Sequence, residues 1–182
     1  MKYIRLIRVK HWVKNSFLFL PLFFSGQLDR FELYPSLLLA FIAFSFVAST
    51  IYIINDYKDL EADRLHPKKR LRPLASGAVS KPVSLVLASA LLIVGFSLAV
   101  LISMKFLFVL AIYFSLNVGY TLGLKNISIL DIIIVAVGFV LRVKAGAIVT
   151  DIALSHWIII MVFLLALFMA LAKRRDDLVI KQ

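Results

Sequence analysis

The sequence contains no cysteine. That excludes a disulfide framework, a thiolate nucleophile and any cysteine metal site. Acidic residues are also scarce, ten against 21 lysines and arginines, for a formal charge of +11. Short tandem repeats and low-complexity segments are absent. What the chain has in excess is apolar surface: 62% of its 182 residues are hydrophobic and the mean hydropathy is +0.97. A soluble domain is about half apolar, so this excess calls for a bilayer as solvent. In such a chain the basic surplus holds loops on the cytoplasmic side, and nucleic acid is excluded as a partner.

A membrane span takes about 20 apolar residues. Hydropathy places about six of them, at 12–25, 36–54, 83–104, 106–122, 129–149 and 156–172. The runs show no apolar–polar alternation and exceed strand length, so they read as helices. The fold class is therefore all-α, a polytopic transmembrane bundle forming a single domain over 1–182 with a polar loop at 56–81. Lys2, Arg5, Arg8, Lys10 and Lys14 before the first run also fit a signal peptide, but the polar-aromatic residues His11, Trp12 and Asn15 favour a retained span. With the N-terminus in the cytoplasm, 17 Lys/Arg fall inside and only Arg30 and Lys105 outside. The positive-inside rule thus gathers the ends of spans two, four and six at one cytoplasmic face.

The densest chemistry follows span two, as Asn55-Asp56-x-x-Asp59-x-x-x-Asp63-x-x-His66-Pro67. If the helix continues, Asp59 and Asp63 fall within about 60° of Asp56 around its axis. Stacked carboxylates repel unless a cation offsets them, and oxygen-only ligands suit Mg²⁺. The alternative is a solvated helix end, its acids pairing with Lys58, Arg64 and Lys68. His66 reads either as a ligand or base, or as a loop-shaping residue ahead of Pro67. The run Lys68-Lys69-Arg70-x-Arg72 reads as a topology signal, or as phosphate binding. In span five, Asp131 and Arg142 share a face about 16 Å apart, and Arg142 is expected to face the bundle interior. Trp12 and Lys14 fit an interface anchor; Asn15 fits a substrate contact.

The acidic run with Arg72-Pro73 and Ser76-Gly77 resembles the first signature of the UbiA-type intramembrane prenyltransferase superfamily. Five further patterns look like its decaprenyl-phosphate phosphoribosyltransferase branch. They are His11-Trp12-x-Lys14-Asn15, His66-Pro67-x-Lys69-x-x-Arg72-Pro73, Tyr120-x-x-x-x-Lys125, Gly138-Phe139-x-Leu141-Arg142 and Lys173-Arg174-x-x-Asp177-Leu178. The resemblance implies transfer of 5-phosphoribose from phosphoribosyl pyrophosphate to a polyprenyl (decaprenyl) phosphate in cell-envelope precursor synthesis. It makes Asp56, Asp59 and Asp63 the catalytic Mg²⁺ ligands. It makes Lys14, Asn15, Asn55, Lys69, Arg72, Tyr120, Lys125, Arg142, Lys173, Arg174 and Asp177 the substrate-binding set. It places the protein in the cell membrane and leaves a homo-oligomer open. The superfamily has about nine spans, so the chain is expected to be the first two thirds of that fold, and Asp177 stands where a Glu is expected. The competing expectations are prenyl transfer to an aromatic acceptor, and an inactive fragment or noncatalytic membrane protein.

Overall fold

The computed structural model describes residues 1–179. Among them the chain is a bundle of helices: α1 (Lys2–Leu6), α2 (Leu20–Phe24), α3 (Tyr34–Lys58), α4 (Leu60–Leu65), α5 (Lys81–Ile102), α6 (Met104–Leu122), α7 (Ser128–Thr150) and α8 (His156–Val179). A bilayer leaves no water to satisfy backbone N–H and C=O groups, and helices satisfy their own. Pro35 and Pro82 sit in the first turns of α3 and α5, where no intrahelical donor is lost. The Ser103 hydroxyl caps α6 by accepting from the Phe106 N–H at 3.1 Å.

Among the described residues, four helices are long and apolar enough to cross a membrane, spanning Phe31–Lys58, Lys81–Ile102, Met104–Leu122 and Ile129–Thr150. The apolar part of α8, His156–Ala172, is shorter. The first expected span takes a different form. Val9–Phe19 is a 3₁₀ helix of 11 residues, followed by the five residues of α2. A 3₁₀ helix rises about 2.0 Å per residue against about 1.5 Å for an α-helix. The two segments together therefore reach roughly 30 Å, the thickness of the hydrocarbon core, with too few residues for an α-helical span.

The central helix is α3, packed against α5, α6, α7 and the 3₁₀ helix. Its small residues Ala40, Ala43, Ser45, Ala48, Ser49 and Thr50 are buried. Between lipid-embedded helices, close packing and polar bonds replace the hydrophobic drive, and both occur here. Gly95 of α5 lies so near Val47 and the Ala43 carbonyl that a Cβ would crowd them. The Thr50 hydroxyl donates to the Ala88 carbonyl at 3.1 Å. The Trp12 indole donates to the Ser49 hydroxyl at 3.0 Å, which donates in turn to the Ile7 carbonyl at 2.7 Å. A second, smaller cluster of Leu6, Ile53, Leu60, Leu74, Val79 and Ala88 sits beneath α1 and the loop after α4. It holds the polar segments at one end of the bundle.

Candidate active site at the acidic end of the bundle

The last turn of α3 carries Asn55 and Asp56. Asp59 stands at the break between α3 and α4, and Asp63 lies on α4. The break is slight: Asp59 N–H still reaches the Asn55 carbonyl at 2.9 Å, and Asp63 N–H the Asp59 carbonyl at 2.8 Å. Helical continuation brings Asp56 and Asp63 together, and each is only 2% exposed. Both accept from the same guanidinium nitrogen, Nη1 of Arg72, with Asp56 Oδ1 at 3.1 Å. Asp56 Oδ1 also accepts from Nη2 of Arg8. Asp59 faces elsewhere: Lys125 Nζ sits 2.9 Å from both its oxygens, and Asn55 Nδ2 donates to it at 3.2 Å. Lys58 Nζ donates to the Thr121 carbonyl at 2.6 Å, tying this end of α3 to α6.

Among the described residues, no three acidic or histidine side chains meet at one point. Two do converge on one positive atom, because the Asp56 and Asp63 oxygens share Arg72 Nη1. Such a pair of carboxylates suits Mg²⁺, which takes one or two of them with substrate phosphates completing the shell.

Arg8 carries no role in the sequence reading, which treats the N-terminal basic run as a topology signal. Its one distinguishing feature is conformational. It is a non-glycine residue at φ 54, ψ 49, in the left-handed region that side chains disfavour. His66 shapes the loop: its Nδ1 accepts from the backbone N–H groups of Lys68 and Lys69, at 3.2 and 3.3 Å. The Lys69 side chain is exposed.

A second polar group lies where α6, α7 and α8 meet. Asp131 accepts from the Tyr120 hydroxyl at 3.0 Å and from Arg174 Nη1 at 3.1 Å. These three, with Lys14, form the polar end of a cavity of about 350 Å³ whose other wall includes Ile132, Val135, Phe139, Ala166 and Met169. Deeper in the bundle, Arg142 donates to Asn15 Oδ1 (2.8 Å), the Gly138 carbonyl (2.7 Å) and the Tyr113 hydroxyl (2.8 Å). Asn15 donates in turn to Ser45 Oγ at 2.9 Å. Asn15 and Arg142 thus spend their polar groups inside the bundle, away from both carboxylate clusters. The side chains of Lys173 and Asp177 lie outside the described residues.

Comparison with known proteins agrees with this architecture. The chain is 37% identical, over 96% of its length, to a decaprenyl-phosphate phosphoribosyltransferase of Mycolicibacterium smegmatis, of which it covers 56%. It is 34% identical, over 98% of its length, to the protein of that name from Corynebacterium glutamicum, of which it covers 55%. The chain thus spans about half the length of these curated relatives. The fold matches a UbiA homolog from Archaeoglobus fulgidus, bound to DMAPP and Mg²⁺, with a TM-score of 0.78 at 23% identity over 92% of this chain and 60% of that one. The model of the UbiA prenyltransferase family matches residues 17–179. With its helical membrane bundle and its acidic run at the mouth of α3, the chain belongs to the UbiA prenyltransferase family.

Proposed function

We propose that this chain carries the donor-binding end of an enzyme that transfers 5-phosphoribose from phosphoribosyl pyrophosphate to a polyprenyl phosphate. The bond between ribose C1 and the pyrophosphate oxygen breaks, a bond from C1 to an acceptor phosphate oxygen forms, and pyrophosphate leaves with the electron pair. The acceptor is already anionic, so no strong base is needed. The observation that carries the reading is the pairing of Asp56, Asp59 and Asp63 with Arg8, Arg72 and Lys125. Carboxylates and cations interleaved at one mouth form a site that a metal–pyrophosphate unit can enter ion for ion.

Asp56 and Asp63 would hold Mg²⁺, with Asp59 beside them, and the ion would neutralise charge on the departing pyrophosphate. Arg72 would turn from the two carboxylates to the phosphate oxygens, for which a guanidinium is suited. Lys125 and Asn55 keep Asp59 oriented, and Lys69 adds positive charge at the mouth. Lys14 and Arg174 would face the acceptor phosphate, with the polyprenyl chain along Ile132, Val135 and Phe139. Tyr120 and Asp131 orient Arg174. Lys173 and Asp177 remain in the proposed substrate-binding set by the family resemblance alone. This end of the bundle faces the cytoplasm in the cell membrane, where the soluble donor is available.

Thermal unfolding in detergent with Mg²⁺ tests the reading. A ligand bound only by the folded state raises stability as its concentration exceeds Kd. Phosphoribosyl pyrophosphate should stabilise the protein more than equal pyrophosphate, and Arg174→Ala should leave that difference in place while abolishing stabilisation by a polyprenyl phosphate. Equal stabilisation by the two soluble ligands, with further stabilisation by 4-hydroxybenzoate, would replace this reading with aromatic prenyl transfer.

A further inference from the structure

The N-terminal residues as far as Lys10, in the first turn of the 3₁₀ helix, form a pinned strap over the acidic end. Leu6 is fully buried in the cluster with Ile53 and Leu74. The Ile7 carbonyl accepts from Ser49. Arg8 is held in the left-handed region with its guanidinium on Asp56 and 4.8 Å from the Tyr52 ring centre. A non-glycine residue keeps such a backbone only where its surroundings fix it, and such residues cluster at functional sites. Beneath the strap lies a cavity of about 800 Å³, lined by Arg5, Arg8 and Lys10 on one side, Lys68 and Arg72 on the other, and Asp56 at its floor. Five cations thus face one carboxylate. Arg8 and Arg72 are committed to that carboxylate; Arg5, Lys10 and Lys68 are exposed and form no ion pair among the described residues.

We propose that this strap is a phosphate-monoester subsite, and that it reads the 5-phosphate of the soluble donor. The proposal rests on the donor reading above and adds the residues that tell phosphoribosyl pyrophosphate from pyrophosphate. Two features favour a soluble sugar phosphate over a lipid phosphate. The cavity shares Asp56 with the place where the pyrophosphate would sit, so one small ligand can bridge both. It sets five lysines and arginines about one carboxylate, whereas the cavity beside α8 sets two, Lys14 and Arg174, about Asp131. The surplus of cations supplies the charge that a monoester dianion requires.

The test measures binding to the protein in detergent with Mg²⁺, using ribose 5-phosphate, pyrophosphate and geranyl phosphate as probes. Arg5→Gln/Lys10→Gln changes two exposed side chains and should leave thermal unfolding unchanged. It should weaken ribose 5-phosphate by about fivefold or more, the worth of two partly screened charge contacts. Pyrophosphate and geranyl phosphate should hold their wild-type affinities. Lys68→Gln, on the opposite wall, should repeat the pattern. Equal weakening of pyrophosphate would make the strap part of the pyrophosphate site and overturn the proposal. Loss of geranyl phosphate binding would assign the strap to the lipid acceptor and overturn it too. No change in any ligand would leave Arg5 and Lys10 as membrane-surface charges, the third overturning result. The donor reading fails separately, if the wild type prefers phosphoribosyl pyrophosphate no more than pyrophosphate while the ribose 5-phosphate result stands.

Discussion

At the residue scale, burial separates carboxylates that the sequence presents as equals. Asp56 is 2% exposed and answers two arginines, whereas the side chains of Asp59 and its partner Lys125 are 29% and 26% exposed. Breaking a buried ion pair leaves an uncompensated charge and costs about 3 kcal/mol or more, while a partly solvated pair is worth about 1 kcal/mol at most. Asp56→Asn leaves Arg8 and Arg72, 19% and 26% exposed, to solvent and to Asp63, and is expected to lower stability in detergent unfolding by about 1–2 kcal/mol. Asp59→Asn should lower it by less than about 1 kcal/mol. Both should abolish Mg²⁺-dependent transfer without affecting membrane insertion. Retained metal-dependent turnover in Asp59→Asn would make this residue only a partner of Lys125. Arg142 supplies a second residue-scale expectation. Its guanidinium faces the rings of Phe44, Tyr113 and Phe139 at 4.8 to 5.5 Å and satisfies Asn15 and the Tyr113 hydroxyl. Arg142→Ala orphans those groups at about 1–3 kcal/mol each, so its unfolding midpoint should fall well below that of the wild type. Arg142→Lys, lacking the planar fork, should recover only part. The pairing of Asp56 with Asp63 was legible from helical periodicity, which also put Asp59 on that side, whereas the break between α3 and α4 turns it to Lys125. The commitment of Arg8 to Asp56 was not, because a basic N-terminal run reads equally well as topology, and 48 residues separate the partners.

At the element scale, hydropathy located the long helices well. The expected runs 83–104, 106–122 and 129–149 correspond to α5, α6 and α7 within a few residues, since a bilayer demands uninterrupted apolar length. The form of the first span was hidden, because a 3₁₀ helix and an α-helix of the same composition have the same hydropathy. The stretched segment packs closely against α7. Gly146 presents bare backbone to the Leu18 carbonyl, so that even a methyl group there would collide with backbone atoms. That contact sets the depth at which Asn15 meets Arg142. Gly146→Val should therefore separate the 3₁₀ helix from α7, with an overpacking cost of about 2 kcal/mol or more. The change should read out as a lower unfolding temperature and increased protease access near Lys14. Gly119→Ala is the control. Its Cβ would meet only the tip of Leu124 at 3.2 Å, and a stability close to wild type is expected. A Gly146→Val protein as stable as the control would show that the close approach does not hold the bundle.

At the scale of the whole molecule, charge asymmetry and helix parity combine into one orientation. The acidic end gathers the N-terminal strap, the loop between α4 and α5, the α6–α7 turn and the basic end of α8. The opposite end holds the short connections around Gly26, Ser103 and Asp151. Counted along the sequence by span parity, 17 of the 21 lysines and arginines fall to the first side, against Arg30 and Lys105 on the second, and the proposed cytoplasmic orientation of the acidic end rests on that excess. The absence of cysteine makes the orientation directly measurable, because an introduced thiol is the sole target for a maleimide. Leu65, 88% exposed beside the acidic motif, and Met104, 68% exposed at the other end, are suitable positions. In intact cells a membrane-impermeant maleimide should label Met104→Cys and spare Leu65→Cys. In inside-out vesicles the pattern should reverse. The orientation bears directly on chemistry: a phosphorylated sugar donor is a multiply charged solute that cannot cross the bilayer unaided. Labelling of Leu65→Cys from outside would put Asp56 and Asp63 on the wrong side of that barrier, and the proposed donor could not reach them.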